Sequence, residues 1–318
     1  MTSDLIFVAL STFAERDESP LRRLEKSGHP YRIHRTGKRI TAAELARDAG
    51  DASVIIAGVE PYDVSTLDGL PSLRCISRCG VGTDNVDLSA ARQRGIAVLN
   101  TPDIPTQAVA ELTLAMFLSL SRNLRRQSNL MGARHWERLE AHLLAARTVG
   151  LIGFGRIGRR VAELCRAFGS TVIAADPFAD ETSVRRSGGE LVSIEELLAR
   201  SDIVSLHASR SAENPLVIGG KEIAAMKRGV ILVNVARGGM IDEDALRKAI
   251  ESGHVAGAGL DVFQQEPYAG PLCELEQVIL TPHSATLPVE TRAAMEAECV
   301  DKALRFLGGA ISPDERVA

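Results

Sequence analysis

Apolar residues along this chain gather in runs of strand length that alternate with stretches of helical period. Leu5–Leu10 is a run of the first kind, and Pro20–Lys26, opening at Ser19, is one of the second. A strand near Tyr31–His34 follows, then a helix at whose start Thr41 and Glu44 have the spacing of a capping box. Val54–Ala57 reads as a buried strand, Val64–Leu70 as a short helix and Leu73–Ser77 as another strand. Gln107–Leu120 is apolar on nearly every side apart from Glu111, which predicts a helix buried in a core or a subunit contact. The rhythm then restarts with a strand from Val149, a helix over Arg159–Phe168 ended by Gly169, and a strand over Thr171–Ala175. Helices at Ile194–Ala199, around Lys221–Met226 and at Glu243–Ser252 alternate with strands at Ile203–Leu206, Val230–Val233, Gly257–Val262 and Val278–Leu280. Such alternation predicts parallel sheets with helices on their faces, the second of about six strands. Glu290–Leu307 is a terminal helix expected to cross back to the first half, because its apolar face has no partner left in a finished second sheet.

Length supports this division. With 318 residues the chain is long enough for two cores, since single cores stop growing near ~250–300 residues. Charged residues make up 25% and apolar ones 45%, ordinary for a soluble globular protein, and the net charge of −4 gives no reason to expect nucleic acid or an anionic membrane as partner. A small anionic substrate would therefore need local cations. The longest apolar run, Ala108–Leu120, contains Glu111 and Thr113 and is well short of the ~20 residues that span a bilayer. Met1-Thr2-Ser3-Asp4 offers no basic region ahead of an apolar one, so no secretory signal is expected. Cys75, Cys79, Cys165, Cys273 and Cys299 are scattered without metal-ligand spacing; they read as reduced, mostly core cysteines of a cytoplasmic protein with no metal site.

Candidate chemistry begins at Val149–Gly158. A β-branched and aliphatic run enters Gly153-Phe154-Gly155-Arg156-Ile157-Gly158, a Gly-x-Gly-x-x-Gly turn, and a helix follows. Glycines let the backbone approach a pyrophosphate, whose charge sits on the unpaired N–H groups of the helix N-terminus. The next strand ends at Asp176, placed to accept both ribose hydroxyls of an adenosine; its charge repels a 2′-phosphate, which argues for NAD over NADP although Arg185 and Arg186 lie further along. About 150 residues precede this turn and make a separate β/α unit. Its strand Leu73–Ser77 runs into Arg78-Cys79-Gly80-Val81-Gly82-Thr83, where backbone N–H groups can face a ligand. Asn100-Thr101-Pro102 looks like a hinge or crossover. Three later stretches, Asn234–Gly239, Leu260–Pro267 and Leu280–Ala285, follow successive strands and carry Arg237, Glu266 and His283. Loops after the strand ends of an open parallel sheet surround its ligand crevice, so these three side chains can converge beside a nicotinamide.

Taken in order, Gly80–Asp87, Asn100-Thr101-Pro102, Val109-Ala110-Glu111, Gly153–Gly158, Asn234–Gly239, Leu260–Phe263, Glu266-Pro267 and Pro282-His283 resemble the D-isomer-specific 2-hydroxyacid dehydrogenases, over nearly the whole chain. Within that family the chain is most similar to the D-3-phosphoglycerate dehydrogenase branch. The resemblance implies an α/β fold of two doubly wound parallel-sheet domains: a flavodoxin-like substrate domain (1–100 plus 287–318) into which a Rossmann NAD-binding domain (101–286) is inserted, with a cleft at the hinge. It implies a homodimer formed through the nucleotide domain. It also implies that Arg237 binds the substrate carboxylate and polarises the C2 carbonyl, helped by the N–H groups of Val81 and Gly82, and that His283, paired with Glu266, protonates the carbonyl oxygen as hydride arrives from NADH. Arg78 matches a phosphate-side arginine of the branch. Gly153, Gly155, Arg156, Ile157, Gly158, Asp176, His207, Ala236 and Asp261 are the implied cofactor-binding set.

The implied substrate is a small anionic 2-hydroxy or 2-oxo acid, with 3-phosphoglycerate/3-phosphohydroxypyruvate leading and glyoxylate, hydroxypyruvate or a phosphonate-bearing 2-oxo acid as alternatives. An NAD(H)-sensing binding protein is a distant further reading. Several positions depart from the family pattern. His207-Ala208-Ser209-Arg210-Ser211 lacks the proline of the usual His-x-Pro-x-Thr, Ser284–Pro288 replaces glycines and a threonine, and Gly58-Val59-Glu60 lacks a second phosphate-side arginine. The sequence ends at Ala318, so a short form without a serine-sensing regulatory domain is expected. Short-chain dehydrogenase chemistry needs Tyr-x-x-x-Lys, whereas Tyr31, Tyr62 and Tyr268 are followed at that spacing by Arg35, Thr66 and Leu272.

Overall fold

Short aliphatic strands, most of them buried on both faces, make up two parallel sheets, as sheets covered by helices require. The computed structural model describes residues 4–209 and 218–318; Arg210 and Ser211 of the His207–Ser211 stretch, and Met1–Ser3, lie outside the described residues. Contacts divide the chain into two units, Met1–Pro105 with Leu287–Ala318, and Thr106–Thr286.

The first unit is built on β1 (Ile6–Val8), β2 (Tyr31–Ile33), β3 (Val54–Ala57), β4 (Cys75–Arg78) and β5 (Ala97–Leu99), all parallel, in the order β2-β1-β3-β4-β5. This is the flavodoxin-like order, whose direction reverses between β1 and β3. Local chemistry starts its helices: Thr41 and Glu44 close a capping box on Ala42–Ala49, and Asp63 and Asp87 accept N–H bonds at the starts of Val64–Asp68 and Leu88–Gln93. The terminal helix, Val289–Leu307, packs on β3, β4 and the Ser19–Ser27 helix, burying Met295, Cys299, Val300 and Ala303 with Ile6, Val8 and Ile56. The last residues hydrogen-bond to the edge of β5, Val317 N to Val98 O at 2.8 Å and Val98 N to Ala318 O at 3.0 Å.

The second unit carries β6 (Thr148–Ile152), β7 (Thr171–Ala175), β8 (Gly189–Leu191), β9 (Ile203–Leu206), β10 (Val230–Asn234), β11 (Val255–Leu260) and β12 (Val278–Leu280). Its order, β12-β11-β10-β9-β6-β7-β8, is the Rossmann order, reversing between β6 and β9. The uniformly apolar Pro105–Ser121 helix buries Val109, Leu114, Met116 and Phe117 against one face of the sheet, with Val149, Leu151 and Val233. The expected six strands are thus seven. β8 carries no strand signal in the sequence because Gly189-Glu190-Leu191 has a single large apolar residue. The strand β5 and the helices Leu88–Gln93, Leu124–Gly132 and Glu181–Arg186 are further elements not expected from the sequence, β5 although Ile96–Leu99 is an apolar run as long as Val54–Ala57. β1 is shorter than Leu5–Leu10, and β11 starts earlier and stops earlier than Gly257–Val262.

Candidate active site

Parallel strands place their C-terminal ends on one edge of a sheet, and the candidate side chains of the second unit all follow such ends. The glycine turn follows β6, Asp176 follows β7, His207 β9, Ala236 and Arg237 β10, Asp261 and Glu266 β11, and His283 β12. The turn and His207 flank the point where strand order reverses, the place where open α/β sheets bind ligands.

Two glycines of the turn are demanded by the protein itself. Gly153 has φ +95°, and a Cβ there would lie 2.5 Å from Ala208 N and 2.7 Å from His207 C; a Cβ on Gly158 would lie 2.3 Å from Gly153 O. The turn is therefore pressed against the loop after β9. Gly155 differs: a Cβ there would meet nothing within 4 Å, the residue is exposed, and its N–H donates to no group among the described residues. Open space and an unused donor ahead of the Arg156–Ala167 helix fit a pyrophosphate approaching the backbone. Asp176 accepts from Phe154 N at 2.7 Å with Oδ2 and from Phe178 N at 2.8 Å with Oδ1, which clamps the carboxylate beside the turn. Each oxygen retains a lone pair for a ribose hydroxyl. Arg185 is paired with Glu181 at 2.5 Å, which offsets its charge. These residues fit an NAD dinucleotide.

His207 is partly buried, and its Nε2 shares a hydrogen bond with Ser205 Oγ at 3.0 Å. Its Nδ1 is shielded and has no partner among the described residues. Burial pushes its pKa down to about 3, so the ring is neutral over the working pH range.

The remaining candidates form two hydrogen-bonded loops and a pair. Asn234, buried at the end of β10, donates from Nδ2 to Arg237 O at 2.8 Å and accepts from Ala236 N at 3.0 Å, folding the Arg237 loop back on its own strand. Arg237 is half-buried and its Nη1 donates to Ala236 O at 2.8 Å. A Cβ on Gly238 would lie 1.8 Å from Phe263 O, so this glycine lets the Arg237 loop lie against the loop after β11. Glu266 accepts from Phe263 N at 3.1 Å with Oε1 and from His283 Nδ1 at 2.9 Å with Oε2. A carboxylate only accepts, so Nδ1 carries its hydrogen toward Glu266 and Nε2 is the ring atom left for proton exchange.

His283 has φ +50°, unusual for a residue with a side chain. Asp261 explains why it persists. This fully buried carboxylate accepts from Thr281 Oγ1 (2.6 Å), Ser284 N (2.8 Å) and Ala285 N (3.0 Å), and His283 N donates to Asp261 O at 2.8 Å. What the structure gives Asp261 is a positioning role under His283. Asn234, Gly238, Thr281 and Ser284 were not singled out from sequence. A polar residue closing the buried run Val230–Asn234 was the available signal for the first; the others depend on which backbone they meet.

In the first unit, the loop after β4 is fixed from behind. Gly80 N donates to Thr101 Oγ1 at 2.9 Å, Asn100 Nδ2 to Val81 O at 2.7 Å, and the buried Lys302 Nζ to Asn100 O at 2.6 Å. Val81 N and Gly82 N donate to nothing among the described residues, as groups reserved for a ligand would. Arg78 is half-buried; its Nη1 donates to Cys79 O at 3.0 Å and lies over Gly80, where a Cβ would overlap it. Among the described residues there is no group of three or more His, Cys, Asp or Glu suited to a metal ion, and no helix long and apolar enough to cross a membrane.

Comparison with known proteins adds the following. Residues 114–285 match the family model described as D-isomer specific 2-hydroxyacid dehydrogenase, NAD binding domain. A D-3-phosphoglycerate dehydrogenase of Mycobacterium leprae is 38% identical over 265 residues, 82% of this chain and 50% of the relative, so the chain spans about half that relative's length. A glyoxylate reductase of Korarchaeum cryptofilum is 36% identical over 80% of this chain and 79% of its own. The crystal structure of a D-lactate dehydrogenase from Aquifex aeolicus, complexed with NAD and lactic acid, superposes with a TM-score of 0.85 at 29% identity, covering 96% of each chain.

Proposed function

This chain belongs to the D-isomer-specific 2-hydroxyacid dehydrogenase family, and on that premise we propose that it interconverts a small 2-oxo acid and its 2-hydroxy acid with NAD(H). The observation that supports this reading is the 2.9 Å Glu266–His283 pair, which engages Nδ1 and leaves Nε2 for proton exchange at the same sheet edge as the glycine turn. NAD, when bound, supplies or accepts the hydride.

The protein's own groups do the rest. His283 gives the carbonyl oxygen a proton from Nε2 during reduction and takes it back during oxidation; a positioned acid of this kind is worth ~10²–10⁴-fold in rate. Glu266 holds the ring by accepting from Nδ1 at 2.9 Å. Arg237 binds the substrate carboxylate with its planar fork, a geometry lysine lacks. Val81 and Gly82 offer their N–H groups, and Arg78 is assigned to the substrate side. Gly153, Gly155, Arg156, Ile157, Gly158, Asp176, His207 and Ala236 make up the cofactor set together with Asp261, which also holds the His283 loop. A homodimer in the cytoplasm completes the reading, in keeping with four of the five thiols being buried and unpaired.

Two substrate readings follow. Arg78 and the relatives named for phosphoglycerate favour 3-phosphohydroxypyruvate. Glu60, an acid where a phosphate would want a cation, favours glyoxylate or hydroxypyruvate. The deciding assay is NADH oxidation against a panel of 2-oxo acids that includes 3-phosphohydroxypyruvate. Turnover of at least one member is expected; none, despite measurable NADH binding, would make the chain an NAD(H)-sensing protein instead.

A further inference from the structure

The loop after β3 holds a carboxylate with no part in the steps above. Glu60 is only 3% exposed. Its Oε1 accepts from Gly58 N at 2.9 Å and from the Tyr62 hydroxyl at 2.7 Å, while Oε2 accepts no hydrogen bond and the residue forms no ion pair among the described residues. Tyr62 is fully buried, and burial followed by the Glu60 charge beside it pushes its phenol well above the ordinary value. A charge this buried is expensive without a cation and is retained where something uses it.

Its position says what that use is. β1 and β3 are the strands between which the order of this sheet reverses, and ligands of open α/β sheets lie outside the strand ends at that point. A Cβ on Gly58 would lie 2.9 Å from Leu10 Cδ2 and 3.0 Å from Glu60 Oε2, so the Leu10 side chain, after β1, and the carboxylate both lie against Gly58. The same loop is stitched to Gly80–Asp87. Asn85 Nδ2 donates to Glu60 O at 2.6 Å and to Gly58 O at 3.2 Å, Tyr62 N donates to Asn85 O at 2.7 Å, and Asp87 N to Tyr62 O at 2.9 Å. Asn85 and Asp87 thereby tie the Glu60 loop to the segment that also carries the Val81 and Gly82 N–H groups. Arg78, on the neighbouring strand end, is engaged with its own loop through Cys79 O.

We propose that Glu60 is a specificity-determining residue: its carboxylate repels a phosphate on C3 of the substrate and accepts a hydrogen bond from an uncharged hydroxyl there, so the preferred substrates are unphosphorylated 3-hydroxy-2-oxo acids. The proposal rests on the reading of the Val81–Gly82 loop as the substrate loop. A phosphomonoester brings about −1.5 to −2 charge at neutral pH, and like charges brought together in an interface disfavour the wrong partner by large factors. A hydroxyl donating to an ionised oxygen makes a stronger bond than one between neutral groups.

The test compares hydroxypyruvate, 3-phosphohydroxypyruvate and glyoxylate as substrates of the wild-type enzyme, Glu60→Gln and Tyr62→Phe. Binding of the first two to the NAD⁺-loaded protein is measured in parallel by calorimetry. The wild type is expected to favour hydroxypyruvate over its phosphate by about tenfold or more in kcat/KM, as a like-charge clash requires. Glu60→Gln should narrow that ratio at least several-fold, chiefly by raising the phosphorylated value, and leave glyoxylate, which has no C3 group, within about twofold. Tyr62→Phe removes a hydrogen bond but keeps the charge, and should keep the preference. A wild type that prefers the phosphorylated acid, or a ratio that moves equally in both variants, overturns the assignment while leaving the dehydrogenase reading intact. Charge-dependent discrimination seen in binding, with no turnover of any acid, supports Glu60 and removes the dehydrogenase reading.

Discussion

His283 shows how much of a residue's function is set by its neighbours. An imidazole at φ +50° costs backbone energy, and Asp261 meets that cost with four hydrogen bonds accepted by its carboxylate from the same loop. The ring then meets Glu266 through Nδ1, leaving Nε2 outward. Replacing His283 or Arg237 by alanine is expected to lower kcat/KM by about 10²-fold or more, with NADH affinity, read by fluorescence titration, essentially kept. Near wild-type turnover in either variant would remove the residue from the mechanism. Asp176→Ala should narrow the preference for NADH over NADPH, since the carboxylate clamped beside the turn is the charge that a 2′-phosphate would meet; the ratio of kcat/KM for the two cofactors checks it.

His207 provides a pH experiment. Its pKa in the folded chain is about 3 against 6.5 for the free residue, so between those values the unfolded chain binds a proton that the folded chain does not. Stability from this site is therefore fully present above the unfolded value and lost as pH falls toward the folded one. His207→Asn should flatten the acid limb relative to wild type by up to about 1.4 kcal/mol per pH unit within that window. Urea melts across the window measure it; parallel limbs would show that the ring titrates normally.

At the scale of elements, the glycine turn separates what the fold needs from what a ligand needs. Gly158→Ala drives a methyl against Gly153 O, which sits 2.3 Å from the new atom, and should destabilise the protein by about 1–3 kcal/mol. Gly155→Ala enters open space and should cost little stability, yet weaken NADH binding by about tenfold or more through the lost close approach of backbone to pyrophosphate. Thermal melts and NADH titration of the two variants should therefore give opposite rankings; equal loss of affinity without any difference in melting would contradict the division. Elements with a long period or a local capping signal were legible in sequence: the Thr41–Glu44 capping box and the buried runs of β3 and β9 stand where the residues place them, β10 runs one residue further than Val230–Val233, and the helix expected over Arg159–Phe168 spans Arg156–Ala167. β8 was not legible, because only Leu191 of its three residues is a large apolar one, and β5 was not although its residues are apolar and buried.

For the whole molecule, one surface feature calls for a partner. Leu124, Met131, Trp136 and Leu143 are exposed on the segment that follows the Pro105–Ser121 helix, Trp136 by 79%. Aromatic anchors of this kind dominate subunit contacts. The proposed homodimer should sediment at twice the mass of one chain, and Trp136→Glu should weaken it by about 2 kcal/mol or more; a monomeric wild type at micromolar concentration would end that proposal. Alternating strands and helices and the glycine turn with its terminal acid belong to the sequence alone, since each depends on residue types at local spacing, whereas Arg237, Glu266 and His283 were candidates from their place after successive strands, with roles implied by the family resemblance. Strand order, the backbone that presses on Gly153 and Gly238, the Asp261 cradle under His283 and the burial of Glu60 without an ion pair among the described residues were decided only in three dimensions. The physical reason is that hydrogen bonding, close approach and burial join residues far apart in the chain, and nothing in their local spacing records which of them will meet.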